Sequence, residues 1–86
     1  MEVNQLILIV KKKIEKNISA ENILIKDQTY LHTNHSSHKQ GFFHLELIIQ
    51  SEELKSYNKV QATKKIYKIL DYEIKNYIHS IKILIN

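Results

Sequence analysis

The chain predicts a two-layer α+β domain, with helices packed on a three-stranded mixed sheet in the order helix, strand, strand, helix, helix, strand. Three observations carry that expectation. Apolar residues recur at helical spacing near the N-terminus and again after residue 58. Three short runs alternate apolar and polar residues. A helical stretch separates the second alternating run from the third, as a parallel pairing requires.

Taken in order, Val3, Leu6, Ile7, Val10 and Ile14 share one stripe, with Lys11, Lys12, Lys13 and Glu15 between them. That spacing predicts an amphipathic helix over residues 2–16, stopped near Asn17. Ser19-Ala20-Glu21 is a short connector. Asn22 to Asp27 alternates, with Ile23 and Ile25 on one face and Leu24 and Lys26 on the other, and reads as a strand. Residues 29–41 have no periodicity and are rich in Ser, Thr, Asn and His, so they read as a loop. Such a loop is longer than a hairpin needs, and long ordered connections are often functional.

Phe42 to Gln50 alternates again, which places Phe43, Leu45, Leu47 and Ile49 inward and His44, Glu46 and Gln50 outward. The two strands most simply pair antiparallel. Ser51 is a helix cap followed by Glu52 and Glu53, two acids at the positive end of a short turn. Asn58 with Gln61 three residues on has the form of a capping box. Val60, Thr63, Ile66, Tyr67, Leu70 and Ile74 then mark a helix to about Lys75. Ile78 to Ile85 is the third strand, with His79, Ile81, Ile83 and Ile85 sharing a face by alternation.

Composition narrows the chemistry. Residues 1–86 are expected to form one domain, and a chain of that size buries only about 60% of its unfolded surface. The sequence has no cysteine, which removes disulfides, a thiol nucleophile and dithiol redox chemistry, and leaves His or carboxylate as the ligands for any metal. The apolar run Leu6–Val10 is five residues long and is followed by Lys11–Lys13. A secretory signal needs roughly 7–15 apolar residues after its charge, and a membrane span about 20, so a cytoplasmic location without membrane insertion is expected. The net charge of +4 favours anionic partners. All thirteen basic residues are lysines, so the forked contact that arginine makes to guanine or phosphate is missing. No strained nucleophile turn or oxyanion-hole glycine supports a catalytic triad, and no enzymatic activity is expected.

The stretch Asp27–His44 holds His32, His35, His38 and His44 together with the chain's one glycine, Gly41. The spacing H-x-x-H-x-x-H suits either a solvated polar loop or zinc uptake, since zinc accepts imidazole in tetrahedral geometry. His44 is expected at the surface beside Glu46, or supporting a ligand rather than acting as one. His79, on an otherwise apolar face, is either a core-edge histidine satisfied by a backbone hydrogen bond or a ligand. An unpaired buried polar group would cost about 1–3 kcal/mol. Lys55, Lys59, Lys64, Lys65 and Lys68 line the helical region, either as a solvated face or as an electrostatic, salt-dependent surface for nucleic acid.

Four pieces of the chain together resemble the BolA family. They are Asp27-Gln28-Thr29-Tyr30-Leu31-His32, Phe43-His44 opening a strand, Ile48-Ile49-Gln50-Ser51, and Ile78-His79-Ser80-Ile81. The family pattern is an acidic-Ser-x-x-His loop, a His-Phe strand start, a hydrophobic-Val-Ser strand end and a C-terminal Ile-His-Ala-Leu. The final element is the most specific, and the order and spacing agree along the whole chain. The resemblance implies a fold similar to a class II KH domain. It also implies partnership with a monothiol glutaredoxin, the heterodimer holding a [2Fe–2S] cluster with glutathione, while the isolated protein would be a monomer without a cofactor. The ligands it implies here are His79 and a loop histidine, with His32 fitting best and His35 next. The implied roles are iron–sulfur cluster assembly or trafficking, or iron sensing.

The alternative that the resemblance implies is DNA-binding transcription regulation through the helical region, with Lys59, Lys64, Lys65 and Lys68 as the contacts. Two departures bear on it. Ala62-Thr63-Lys64 stands where the family has Arg-His-Arg, and Leu54-Lys55-Ser56 replaces its Phe-x-Gly. The nucleotide-clamping Gly-x-x-Gly of KH domains is also excluded, because Gly41 stands alone.

Overall fold

The computed structural model describes residues 1–29 and 42–86. Among these, α1 (Val3–Asn17) and β1 (Asn22–Asp27) are followed by β2 (Phe43–Gln50), α2 (Glu52–Lys55), α3 (Lys59–Ile69), α4 (Asp71–Asn76) and β3 (Ile78–Ile85). The sheet runs β1-β2-β3, with β1 antiparallel and β3 parallel to the central strand. The sheet is therefore mixed, as the helical crossover predicts.

The core forms where the inward stripe of each element meets. Leu6, Val10 and Ile14 of α1, Leu45, Leu47 and Ile49 of β2, and Ala62 and Ile66 of α3 are all at most 2% exposed. Each large apolar side chain buried this way contributes about 1.5–3 kcal/mol. Local chemistry sets the helix ends. Glu2 and Gln5 close a capping box on α1, and Asn58 and Gln61 close the expected one on α3.

Ser51 does more than cap α2. Its Oγ accepts from the Leu54 N–H at 3.1 Å and donates to the Ser19 carbonyl at 2.7 Å, so it ties the α1–β1 connector to the crossover. Losing a cap costs about 0.5–2 kcal/mol, and leaving a carbonyl without its donor adds to that. Ser51→Ala is accordingly expected to lower unfolding free energy by about 1–3 kcal/mol. Urea denaturation would show it as a lower midpoint at unchanged slope, and an unchanged midpoint would contradict it.

The long helix expected to run to Lys75 is divided. Leu70, with φ −99° and ψ 17°, ends α3 and starts α4. No glycine or proline marks the break, and Leu70 itself is fully buried in the core. Beyond it, Glu73 of α4 meets Lys13 of α1, at 2.8–2.9 Å across 60 positions of sequence.

The other sheet face carries cross-strand rows. Leu24, Ile48 and Leu84 are in register, and beside them lie Lys26, Glu46 and Lys82. Glu46 sits between the two lysines, 4.0 and 3.8 Å from their ammonium groups. No described helix is long and apolar enough to cross a membrane.

Candidate functional site

The most informative geometry lies where β2 and β3 begin. Because the two strands are parallel, their starts are neighbours, and each carries a histidine as its second residue, His44 and His79. The ladder is irregular at this point: Phe43 pairs with Ile78, but His44 pairs with Ser80. His79 is thus one extra residue on β3, as in a β-bulge, which re-aims side chains and is common beside functional sites.

This slip corrects the face assigned by strict alternation. Ile78, rather than His79, joins Ile81, Ile83 and Ile85 in packing toward the core. His79 is exposed, and its Nδ1 lies 3.2 Å from Nε2 of His44. The two rings meet edge to face, with centroids 4.8 Å apart and planes at 74°. On its other side, His44 Nδ1 is 2.7 Å from Ser80 Oγ.

Of the two places expected for His44, the surface one is not observed. His44 points to the same sheet face as Glu46, as alternation requires, but it is buried at 5% exposure rather than lying on the surface. Its backbone is held on both sides. The N–H donates to Thr29 Oγ1 at 3.1 Å, and the carbonyl accepts from Gln28 at 2.7 Å. Thr29 is fixed in turn by Asp27, whose carboxylate accepts from both the backbone N–H and the hydroxyl of Thr29. The chain leaving β1 is thereby anchored to the start of β2.

Of the ligands that the resemblance implies, His79 is placed on this edge. His32 and His35 lie outside the described residues, as does His38. Among the described residues, no group of three or more His, Asp or Glu side chains is assembled that would hold a metal ion. Sequence reasoning left His44 open between a surface position and a place supporting a ligand, and missed Ser80 and Thr29. A signal for the place of His44 was present, since a parallel crossover aligns two strand starts that each carry a histidine.

The lysines of the alternative reading do not form one free patch. Lys65 is 3.7 Å from Glu53 and lies over the Tyr57 ring at 5.6 Å. Lys59 and Lys64 lie with the exposed Val60 and Tyr67 and the half-buried Thr63 around a shallow hollow of about 450 Å³. Lys68 lies near Lys65 and Asn17, on another side of α3.

Comparison with known proteins agrees with this architecture. Residues 14–86 match the family described as BolA-like protein. The chain is 29% identical over 73 residues to the DNA-binding transcriptional regulator BolA of Haemophilus influenzae, covering 85% of this chain and 68% of that one. The fold is similar to the BolA domain of SufE1 from Arabidopsis thaliana, with TM-score 0.78 and 24% identity, over 92% of this chain and 87% of that one. It is also similar to BolA1 from Arabidopsis thaliana, with TM-score 0.76 and 20% identity, over 91% and 86% of the two chains. With the family pattern matched from Ile14 to the end, and a mixed sheet built as in these BolA domains, the chain belongs to the BolA-like family.

Proposed function

We propose that this BolA-like protein pairs with a monothiol glutaredoxin and co-ligates a [2Fe–2S] cluster with it, in cluster trafficking or iron sensing. One observation carries the reading: an exposed His79 whose Nδ1 is already engaged by a buried histidine, in a chain without cysteine. A metal-ligating histidine ordinarily uses one ring nitrogen for the metal and the other for a hydrogen-bonding partner. Nε2 of His79 bonds to no other described residue and is the nitrogen left for an iron.

His32, or else His35, is the second ligand from this chain in the proposal. The partner contributes thiolates from its active-site cysteine and from glutathione. Imidazole in place of thiolate on a [2Fe–2S] iron raises the reduction potential, as in Rieske centres. Replacing a charged thiolate with a neutral ligand also lets acid detach the cluster more readily, which suits a cluster that is passed on. The test is to mix the protein with a monothiol glutaredoxin under reconstitution conditions and record visible absorption and circular dichroism. A spectrum distinct from that of the glutaredoxin alone supports the proposal, and an identical one overturns it.

A second reading is favoured by the name of the Haemophilus influenzae relative, a DNA-binding regulator. It assigns duplex binding to the lysines around α3. On that reading Lys64→Ala weakens binding and lowers the salt slope by about 1, as loss of one phosphate contact does. Lys65→Ala changes binding less, because Lys65 already faces Glu53. Equal, salt-insensitive binding by both variants would count against it.

A further inference from the structure

Ser80, His44 and His79 form a chain of two contacts, 2.7 Å from Ser80 Oγ to His44 Nδ1 and 3.2 Å from His44 Nε2 to His79 Nδ1. Every atom in it can donate or accept, and both distances admit either role. The chain therefore has two directions. In one, the Ser80 hydroxyl donates to His44 Nδ1, His44 Nε2–H donates to His79 Nδ1, and neutral His79 carries its proton on Nε2. That form has no lone pair on the exposed nitrogen. In the other, His79 Nδ1–H donates to His44 Nε2, His44 Nδ1–H donates to Ser80 Oγ, and the Nε2 lone pair of His79 is available.

We propose that His44 and Ser80 are positioning residues that hold His79 in its Nδ1–H tautomer, so that this chain offers the Nε2 lone pair as its ligand. The inference rests on the reading of His79 as a cluster ligand, and adds which nitrogen ligates and what fixes it. The ring nitrogen that binds a metal is set by the hydrogen bond the other nitrogen makes. Free imidazole side chains in water favour the opposite tautomer, with the proton on Nε2. An acceptor at Nδ1 is needed to reverse that preference.

His44 suits the role because its ring is held in a fixed place. It is 5% exposed, and its backbone is bonded at both its N–H and its carbonyl. The β-bulge brings His79 against it, where a regular ladder would have turned His79 toward the core. Ser80 completes the arrangement. His44 Nε2 accepts only if the His44 proton stands on Nδ1, and a buried N–H there needs an acceptor, which Ser80 Oγ provides. Ser80 is exposed, so its own O–H is free to donate to solvent.

The ring nitrogens of the isolated protein test this directly. A two-bond ¹H–¹⁵N correlation spectrum of ¹⁵N-labelled protein at about pH 8, above the ordinary imidazole range, distinguishes the two tautomers of His79. Wild type is expected in the Nδ1–H form. His44→Ala is expected to move His79 to the Nε2–H form, and His44→Gln, whose amide oxygen reaches toward the position of Nε2, to restore the wild-type pattern. Because His44 is buried, Ser80→Ala is the parallel variant at an exposed position, and it is expected to shift the tautomer in the same direction as His44→Ala. A wild-type His79 in the Nε2–H form, or a wild-type pattern in His44→Ala or Ser80→Ala, overturns the proposal.

With a glutaredoxin heterodimer in hand, His44→Ala is expected to speed cluster loss to a chelator by about 10–100-fold, the range for removal of such supporting partners. The two readings fail separately. If no cluster-bearing heterodimer forms with wild type, the functional reading falls, whatever the ring spectra show. If the heterodimer forms while wild-type His79 holds its proton on Nε2, the tautomer assignment falls and the ligand reading stands.

Discussion

Replacing His79 by alanine is expected to leave the fold standing and, on the proposed function, to change the cluster shared with the glutaredoxin. His79 is exposed and lies outside the core, and substitutions of that kind usually stay within about 0.5 kcal/mol. The lost hydrogen bond to His44 adds about 1 kcal/mol, less where water enters the space left by the ring. On the proposed function, the cluster loses one of the two ligands assigned to this chain. Its rate of loss to a chelator is expected to rise at least about 10-fold, since even the partners that merely support a ligand are worth that much. The visible circular dichroism is expected to change with it.

His79→Cys turns the same argument round. Thiolate brings a negative charge to the iron, so the reduction potential is expected to fall and the cluster to resist acid longer, opposite in sign to the effect of imidazole. Chelator kinetics and a redox titration of the three heterodimers measure both effects. Spectra and lability indistinguishable from wild type in His79→Ala would remove His79 from the ligand set.

The second large effect concerns stability and lies away from the histidines. Glu73 is 4% exposed, and its carboxylate is held by Lys13 at 2.8–2.9 Å, linking α4 to α1. Removing one member of a fully buried pair costs about 3–5 kcal/mol, because a charge is left without compensation. The Lys13 side chain is 39% exposed, however, so water reaches the site and screens the orphaned carboxylate. Lys13→Met is therefore expected to cost about 1–3 kcal/mol. In a domain of this size each kcal/mol lowers Tm by about 4–8 °C. The double variant Lys13→Met, Glu73→Leu removes both charges and is expected to regain most of the loss, since apolar replacement of a whole buried pair is often neutral. A double-mutant cycle measured by thermal unfolding checks it. A coupling energy near zero would show that the pair contributes nothing to the packing of α4.

Much of the fold was legible because periodicity depends only on local backbone geometry. The stripe of Leu6, Val10 and Ile14 and the alternation of Leu45, Leu47 and Ile49 identify a helix and a strand without reference to any distant residue. The capping box of Asn58 and Gln61 was equally visible, because its hydrogen bonds close within three residues. The division at Leu70 was not, since neither glycine nor proline announces it and Leu70 reads in sequence as one more residue of the apolar stripe. Lys13 and Glu73 gave no sign of each other, being 60 positions apart on different helices.

The candidate site divides along the same line. By itself the sequence determined the three strands, the helical crossover and a histidine at the start of each of the two parallel strands. Those follow from patterns of period two and 3.6 read along the chain. Only the tertiary structure decided that His79 turns away from the core to meet His44, and that His44 is buried with Ser80 at its other nitrogen. The physical reason is the one-residue slip between Phe43 and His44 in the ladder. A strand's faces alternate every residue, so a single extra residue exchanges inside for outside. Such a slip arises from the pairing of two strands and leaves no mark in either one alone.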